Sequence, residues 1–306
     1  MSDLLVAFVI VLVGVQFAAQ APVNGGLGRS TGPLVAALIS FLVGSMALLL
    51  IVAASGQLEK SVSLGNVPLW QLTGGVIGAT YVALAASTIS RIGAGVIAAV
   101  TVTGQLACSV VIDHFGWLGI EVQDLTGPRV LGIVLLLGGA MAMLYSRQEA
   151  RAEQQEANAG YRERLIICVV VFLASLAVGV QHPLNSELAV QVGDLPAGLV
   201  NFTVGTVLLA FAVLFTGQTR AVLRARQARP RYFLGGLIGS VVVVASLSAV
   251  TVIGAAGLTA ALVTGQMIGS LLLDRAGAFG LTRIPIDRIR LAAAAVLLIG
   301  TYLATG

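Results

Sequence analysis

Polar side chains recur at four-residue spacing inside segments that are otherwise apolar. Gln16, Gln20 and Asn24 form such a series near the N-terminus, and Gln105 and Asp113 belong to a longer one. Residues four apart lie on the same face of a helix. Their amide and hydroxyl groups could bind a polar substrate through hydrogen bonds. The alternative is that they only hydrogen-bond neighbouring helices, which contributes about 0.6 kcal/mol per contact.

The same pattern returns in the second half of the chain, at residue numbers that are higher by 161. Gln181 and Asn185 repeat Gln20 and Asn24, and Gln266 and Asp274 repeat Gln105 and Asp113. Tyr81 is an aromatic candidate for the wall of a cavity, with packing as its alternative role. Side chains of this kind are costly to place in lipid, so we expect them to face the protein interior.

A few ionisable residues are candidates for coupling or gating. Asp113 and Asp274 stand at helix ends, where they could form gates or proton sites, cap helices, or pair with Arg129 and Arg290. His182 lies beside Gln181 and can titrate near neutral pH. With Glu187 nearby, it is the stronger candidate for proton coupling.

The composition requires that these residues be positioned in a membrane. Of the 306 residues, 58% are hydrophobic and 10% are charged, against roughly 25% charged in globular domains. This excludes a soluble enzyme, a disordered chain and a disulfide scaffold. Cys108 and Cys168 lie in apolar runs and are interpreted as small hydrophobic residues. No cofactor, metal-binding or nucleic-acid motif is present, and the predicted partners are a small-molecule substrate and the lipid bilayer.

Ten segments have the roughly 20 apolar residues that a transmembrane helix needs. They group into a first unit of five helices (1–145), a polar linker (146–164) and a second unit of five (165–306). Pro22 and Pro183 could break the first and sixth helices, or mark their ends. The predicted segments are 4–23, 33–54, 67–89, 92–112, 127–145, 165–184, 195–216, 232–253, 256–273 and 289–305.

The distribution of Lys and Arg predicts the orientation. Fifteen of the 17 lie on the side that holds the linker, and only Lys60 and Arg129 lie on the other. The side rich in Lys and Arg is cytoplasmic. We therefore expect the cytoplasmic membrane, a linker inside and both termini outside. The arginine-rich segment 219–231 could bind lipid or serve regulation, or could simply determine topology.

The constant offset of 161 in residue number indicates an internal duplication, as between Phe41 and Phe202 or Gly44 and Gly205. Since each half has an odd number of spans, the second must enter the membrane from the opposite side. The predicted fold class is therefore all-α integral membrane, with ten transmembrane helices as two inverted five-helix repeats, an architecture of many secondary transporters.

These motifs resemble the drug/metabolite transporter (DMT) superfamily, and more closely its YdcZ-like branch. The resemblance rests on Gln20–Asn24, Phe41-Leu-Val-Gly44 and Asp113-His-Phe-Gly116 with their second copies. It implies a carrier with a substrate cavity between the halves and supplies no substrate. The related small multidrug pumps have a glutamate within their first helix, whereas this chain has Gln16 and Gln20 there.

The sequence therefore predicts a secondary transporter for a small polar or amphipathic metabolite, working by alternating access. No ATP-binding motif is present, so protons, another coupling ion or the substrate's own gradient must drive it. Gln20, Gln105, Gln181 and Gln266 are expected to converge on one cavity. The rivals are a non-transporting scaffold or sensor subunit, and a membrane enzyme, for which the scattered ionisable residues form no clustered catalytic set.

Overall fold

The computed structural model describes residues 3–62, 67–119, 122–152 and 160–305. Every element of secondary structure in these ranges is helical, joined by short 3₁₀ turns such as Leu69–Leu72 and Pro230–Leu234. The α-helices are α1 (Asp3–Phe17), α2 (Gln20–Thr31), α3 (Pro33–Ala54), α4 (Leu58–Val62), α5 (Thr73–Phe115), α6 (Gly127–Ala152), α7 (Gly160–Val192), α8 (Asp194–Phe215), α9 (Thr219–Leu223), α10 (Gly235–Ala276) and α11 (Arg288–Thr305).

Eight helical stretches among the described residues are long and apolar enough to cross a membrane, against ten predicted. The difference lies at two places. Residues 69–115 form one 47-residue stretch where two spans were predicted. Helix α10 likewise runs without interruption from Gly235 to Ala276, across most of the predicted segments 232–253 and 256–273, and its stretch Gly257–Ala276 has the length and composition of a full span. Large apolar side chains such as Leu50, Leu173 and Phe211 are exposed on the outer surface, as expected of a multi-pass membrane protein.

Pro22 coincides with a break in the first span. Because proline has no N–H, the carbonyl four residues earlier loses its helical partner, and α1 gives way to α2 over residues 18–19. Pro183 lies inside the continuous helix α7, so the break that was predicted in the sixth helix is absent. Neither proline ends a helix, so the interpretation that they mark helix ends is wrong. The chain instead turns at Gly32 (φ +86°) and Gly193 (φ +91°), which occupy equivalent positions in the two halves.

The long helix α5 changes direction at Gly93, whose φ of +80° and ψ of +169° are not helical. The non-glycine residues with positive φ, among those described, are Leu118 (φ 58°) and Phe279 (φ 55°), which are again equivalent to each other. Leu118 and Phe279, like Gly32 and Gly193, therefore share an unusual backbone conformation at the offset at which the sequence repeats its motifs.

Helices α6 and α11 begin at equivalent residues, Gly127 and Arg288, and pack against each other. A Cβ atom on Gly132 would lie 2.6 Å from the Ala304 nitrogen, and one on Gly139 would lie 2.7 Å from Leu297 Cγ. As α6 runs forward, the residues that it meets on α11 run backward. These two equivalent helices are therefore antiparallel.

The predicted linker lies partly outside the described residues. Helix α6 continues to Ala152 and α7 begins at Gly160, so both helices extend into the segment 146–164. Residues 153–159 are not among those described.

Candidate functional site

An aromatic pair joins the two halves where α3 meets α8. The rings of Phe41 and Phe202 stack with centroids 5.0 Å apart. Nearby, the hydroxyls of Ser45 and Thr206 lie 3.0 Å apart. Both pairs join a residue to its own counterpart in the other half, which is the contact expected at a two-fold axis.

Gly44 and Gly205 allow the stacked rings to approach. A Cβ atom on Gly44 would overlap the ring of Phe202, and one on Gly205 would overlap the ring of Phe41. The halves thus contact each other through the same surface, with the roles of the residues exchanged.

The glutamines of the first and sixth predicted spans flank this pair on opposite sides. Gln20 Nε2 donates to the carbonyl oxygen of Gly235 over 3.3 Å and lies 2.7 Å from the Cβ position of Gly239. Gln181 Nε2 lies 3.0 Å from the Cβ position of Gly78. Phe202 borders Gly239 and Phe41 borders Gly78, so each glutamine and one ring meet at an equivalent glycine.

The two asparagines are packed less symmetrically. Asn185 Oδ1 accepts from Asn201 Nδ2 over 2.8 Å, next to the Cβ position of Gly74. Asn24 is 1% exposed and lies against Gly235. Neither polar atom of the Asn24 side chain has a hydrogen-bond partner in the described part of the chain. The counterpart of Asn201 is Ser40, which explains the loss of the amide–amide bond.

The polar series lies in the second part of α5, and it contacts the first part of the same helix, which corresponds to the third predicted span. Tyr81 and Thr101 lie 2.6 Å apart through their hydroxyls, one helical turn before Gln105. Gln105 and Gln266 are half-buried, and the described contacts include no side-chain hydrogen bond for either. Gln16 is exposed.

The structure brings Gln20 and Gln181 to the aromatic pair and Tyr81 to the polar face of α5. No hydrogen bond within the described ranges joins any two of the four glutamines. Their convergence on a single cavity stays a prediction.

Asp274 is held in a buried cluster at one end of the helix assembly. Its carboxylate lies 2.5 Å from Arg290 Nη2, with the two side chains 0% and 1% exposed. It also accepts hydrogen bonds from the backbone N–H groups of Ala94 (3.0 Å) and Gly95 (3.1 Å). These donors are free because the helix restarts after Gly93, so Asp274 acts as a helix cap as well as an ion-pair partner.

The equivalent pair is looser. Asp113 Oδ2 lies 3.5 Å from Arg129 Nη2, and the Asp113 side chain is 21% exposed. Arg129 also donates to Gln123 Oε1. Both aspartates thus pair with the arginine that the sequence offset indicates, but only Asp274 is sealed from solvent.

The candidates for proton coupling are less well described. The side chain of His182 lies outside the described residues, and Glu187 is half-buried on α7. Among the described residues, no group of three His, Cys, Asp or Glu could hold a metal ion.

Sequence reasoning missed one cluster that joins the halves. Arg29 donates to the Tyr232 hydroxyl over 3.1 Å and to the carbonyl oxygens of Phe279 and Gly280. In the other half, Gln71 is the counterpart of Tyr232, and its Oε1 accepts from Gln191 Nε2 over 3.0 Å. Since Arg29 has no arginine counterpart, the repeat could not reveal this contact.

Comparison with known proteins agrees with the duplicated helical fold. A family model described as "Putative inner membrane exporter, YdcZ" matches residues 5–142 and again residues 166–303. The two matches begin and end at equivalent residues. The chain therefore belongs to the YdcZ family of the DMT superfamily, with two copies of the family unit in one polypeptide. This family description is that of a membrane transporter rather than an enzyme.

A similar solved structure is described only as "Crystal structure of protein". It superposes with a TM-score of 0.53 over 97% of this chain and 96% of its own, at 16% sequence identity. At that identity, the similarity concerns the fold alone. A search of curated proteins finds no significant match.

Proposed function

We propose that this protein is a secondary transporter that moves a small polar or amphipathic metabolite across the cytoplasmic membrane by alternating access. The observation that carries the proposal is the contact between counterparts at Phe41–Phe202 and Ser45–Thr206. Two halves that meet through the same surface can exchange conformations. Exchange of this kind would open a central site to each side in turn.

Ten transmembrane spans are part of this proposal. At 1.5 Å per residue, the helical stretch 69–115 is roughly 70 Å long, more than twice the thickness of the hydrocarbon core. The change of direction at Gly93 divides it into two spans. By the same offset, the continuous helix α10 would supply two spans, the first of which includes the apolar stretch Pro230–Ser246.

The inverted relation of the repeats is supported by α6 and α11. These counterparts are antiparallel, as the contacts of Gly132 with Ala304 and of Gly139 with Leu297 indicate. If both cross the membrane, a rotation that relates them must reverse the direction of crossing. The axis of that rotation would lie in the membrane plane, as in other inverted-repeat transporters.

The two aspartate clusters are candidates for gates at opposite ends. The Asp274–Arg290 pair is buried and bonded to the restart of α5, whereas Asp113 is partly exposed. In an alternating cycle, the tight arrangement would be released at one end as an equivalent one forms at the other. On this proposal, the buried Asp274–Arg290 pair belongs to a state that is closed at the Asp274 end.

The residues around the aromatic pair favour an uncharged or zwitterionic substrate. The polar groups that face it are amides and hydroxyls, among them Gln20, Gln181 and Ser45. A fully charged substrate would lack a counter-ion there. The family's description as an exporter supports outward movement, with the 146–164 segment inside and both termini outside.

A two-stage experiment tests the function. Purified protein is first screened by thermal shift against neutral and zwitterionic amino acids, sugars and nucleosides, since a ligand of the native state raises the melting temperature. The compound that stabilises most is then radiolabelled and assayed for counterflow in proteoliposomes. We expect counterflow in the wild type and its loss in Gln20→Leu. Stabilisation without counterflow would instead indicate a sensor or scaffold.

A further inference from the structure

Five arginines lie on or between three short helical segments that follow α8. The segments are α9 and the 3₁₀ helices Arg224–Gln227 and Pro230–Leu234. All five side chains are exposed, and the stretch 211–231 contains no Asp or Glu. We call this surface the basic platform; its arginines are Arg220, Arg224, Arg226, Arg229 and Arg231.

Apolar side chains place the platform at the edge of the hydrophobic zone. Phe215 is 88% exposed and Leu223 is 63% exposed, so apolar and basic groups alternate along the same short stretch. Below them, Ala225 and Tyr232 are buried in a cluster with Leu27. A basic surface that has exposed apolar neighbours and is anchored by buried side chains is typical of a segment that lies in the headgroup region.

Two aromatic rings hold the Arg231 side chain in position. Its guanidinium carbon lies 5.3 Å from the centroid of the Tyr232 ring and 5.7 Å from that of Phe279. Cation–π contacts of this kind orient the guanidinium without neutralising it. No carboxylate in the described part of the chain forms an ion pair with any platform arginine, so their charge is available to an external anion.

The first half contains an internal comparison for this surface. The equivalent elements are α4, which corresponds to α9, and Leu69–Leu72, which corresponds to Pro230–Leu234. The sequence from 58 to 72 carries one Glu and one Lys and therefore no net charge. Two of the three helical segments therefore form in the first half without arginines, so their fold does not require the positive charge.

We infer that the basic platform binds the phosphate groups of anionic phospholipids. Guanidinium groups match phosphate oxygens in two-point hydrogen bonds. Each basic residue near an anionic leaflet contributes about 1 kcal/mol, or roughly fivefold in affinity. The exposed apolar side chains would lie beside the acyl chains. This inference does not depend on transport.

The test uses full-length protein in detergent micelles doped with phosphatidylglycerol or with phosphatidylcholine. One variant carries Arg220→Gln, Arg224→Gln and Arg229→Gln. The matched control removes the same charge elsewhere with Arg275→Gln, Arg283→Gln and Arg288→Gln, which are also exposed. Lipid affinity is read from melting-temperature titrations and from lipid adducts in native mass spectrometry.

We expect at least about a tenfold loss of phosphatidylglycerol affinity in the platform variant, and less than about a twofold loss in the control. Equal losses in both variants would show diffuse attraction and overturn the inference. Unchanged affinity in the platform variant would also overturn it and leave topology as the role of the arginines. If inorganic phosphate stabilised the protein as phosphatidylglycerol does, the surface would be a small-anion site instead.

Discussion

Phe41 stacks on Phe202, its counterpart in the second half, with ring centroids 5.0 Å apart. A residue can contact its own counterpart only close to the axis that relates the two copies. The stacked rings, with Ser45 and Thr206 beside them, therefore lie close to the axis that relates the two halves. Any relative movement of the two halves must rearrange this contact or rotate about it.

Gly44→Ala and Gly205→Ala should each destabilise the protein by about 1–3 kcal/mol, because the added methyl overlaps a ring of the other half. The two variants should behave alike, since their surroundings are equivalent. Gly138→Ala is the matched control: a Cβ there meets nothing within 4 Å. Thermal melting in one detergent measures all three. A control as unstable as the two variants would contradict the role of the stacked pair.

Much of the helical layout could be predicted because it follows from local composition. The third helix, Pro33–Ala54, has the bounds that apolar length alone indicates. The extent of the first span could not be predicted. Polar residues after Pro22 suggested an end near residue 23, whereas α2 continues to Thr31, because residues 22–27 are buried against neighbouring helices.

Asp274→Asn should be strongly destabilising, by about 3–5 kcal/mol, because it leaves the Arg290 charge buried without its partner. Asp113→Asn should cost less, since Asp113 is partly exposed and its pair is 3.5 Å apart. Combining Asp274→Leu with Arg290→Met should recover part of the loss. The melting temperatures of the three variants measure these effects. Equal losses of stability in Asp113→Asn and Asp274→Asn would contradict the difference in burial between the two pairs.

Gln105→Leu and Gln266→Leu should abolish transport and preserve folding, since leucine suits both a helix and an apolar surrounding. The readouts are counterflow of the compound that the thermal-shift screen identifies and the monodispersity of the purified protein. Gln227→Leu, at an exposed position on the basic platform, is the control. Full transport by both variants would exclude these amides from the substrate site.

Most of the candidate site could be predicted because the two halves agree. The paired glutamines and aspartates are visible as a repeat, whereas the contacts of Arg29 with Tyr232 and Phe279 are not. These contacts join one side chain to distant parts of the chain, partly through backbone oxygens. Neither residue spacing nor residue type predicts such a hydrogen bond.

Cysteine pairs should cross-link α6 and α11 in the antiparallel register. After replacement of Cys108 and Cys168, the pair Gly139→Cys with Leu297→Cys should form a disulfide on oxidation, since the Cβ position of Gly139 lies 2.7 Å from Leu297 Cγ, an atom that the second substitution removes. The pair Gly132→Cys with Ala293→Cys is the control. It would be brought together by parallel packing, and here it lies roughly 10 Å out of register, beyond disulfide reach. Cross-linking of the second pair alone would contradict antiparallel packing.

The inversion of the repeats is tested most directly by single cysteines at Asp124 and at its counterpart Pro285, both exposed in equivalent loops. In a background without Cys108 and Cys168, intact cells are treated with a membrane-impermeant maleimide, and a second sample is permeabilised first. If the halves are inverted, the cysteine at 124 is labelled in intact cells and the one at 285 only after permeabilisation. Labelling of both positions from the same side would contradict an inverted repeat, and with it alternating access by exchange of the two halves.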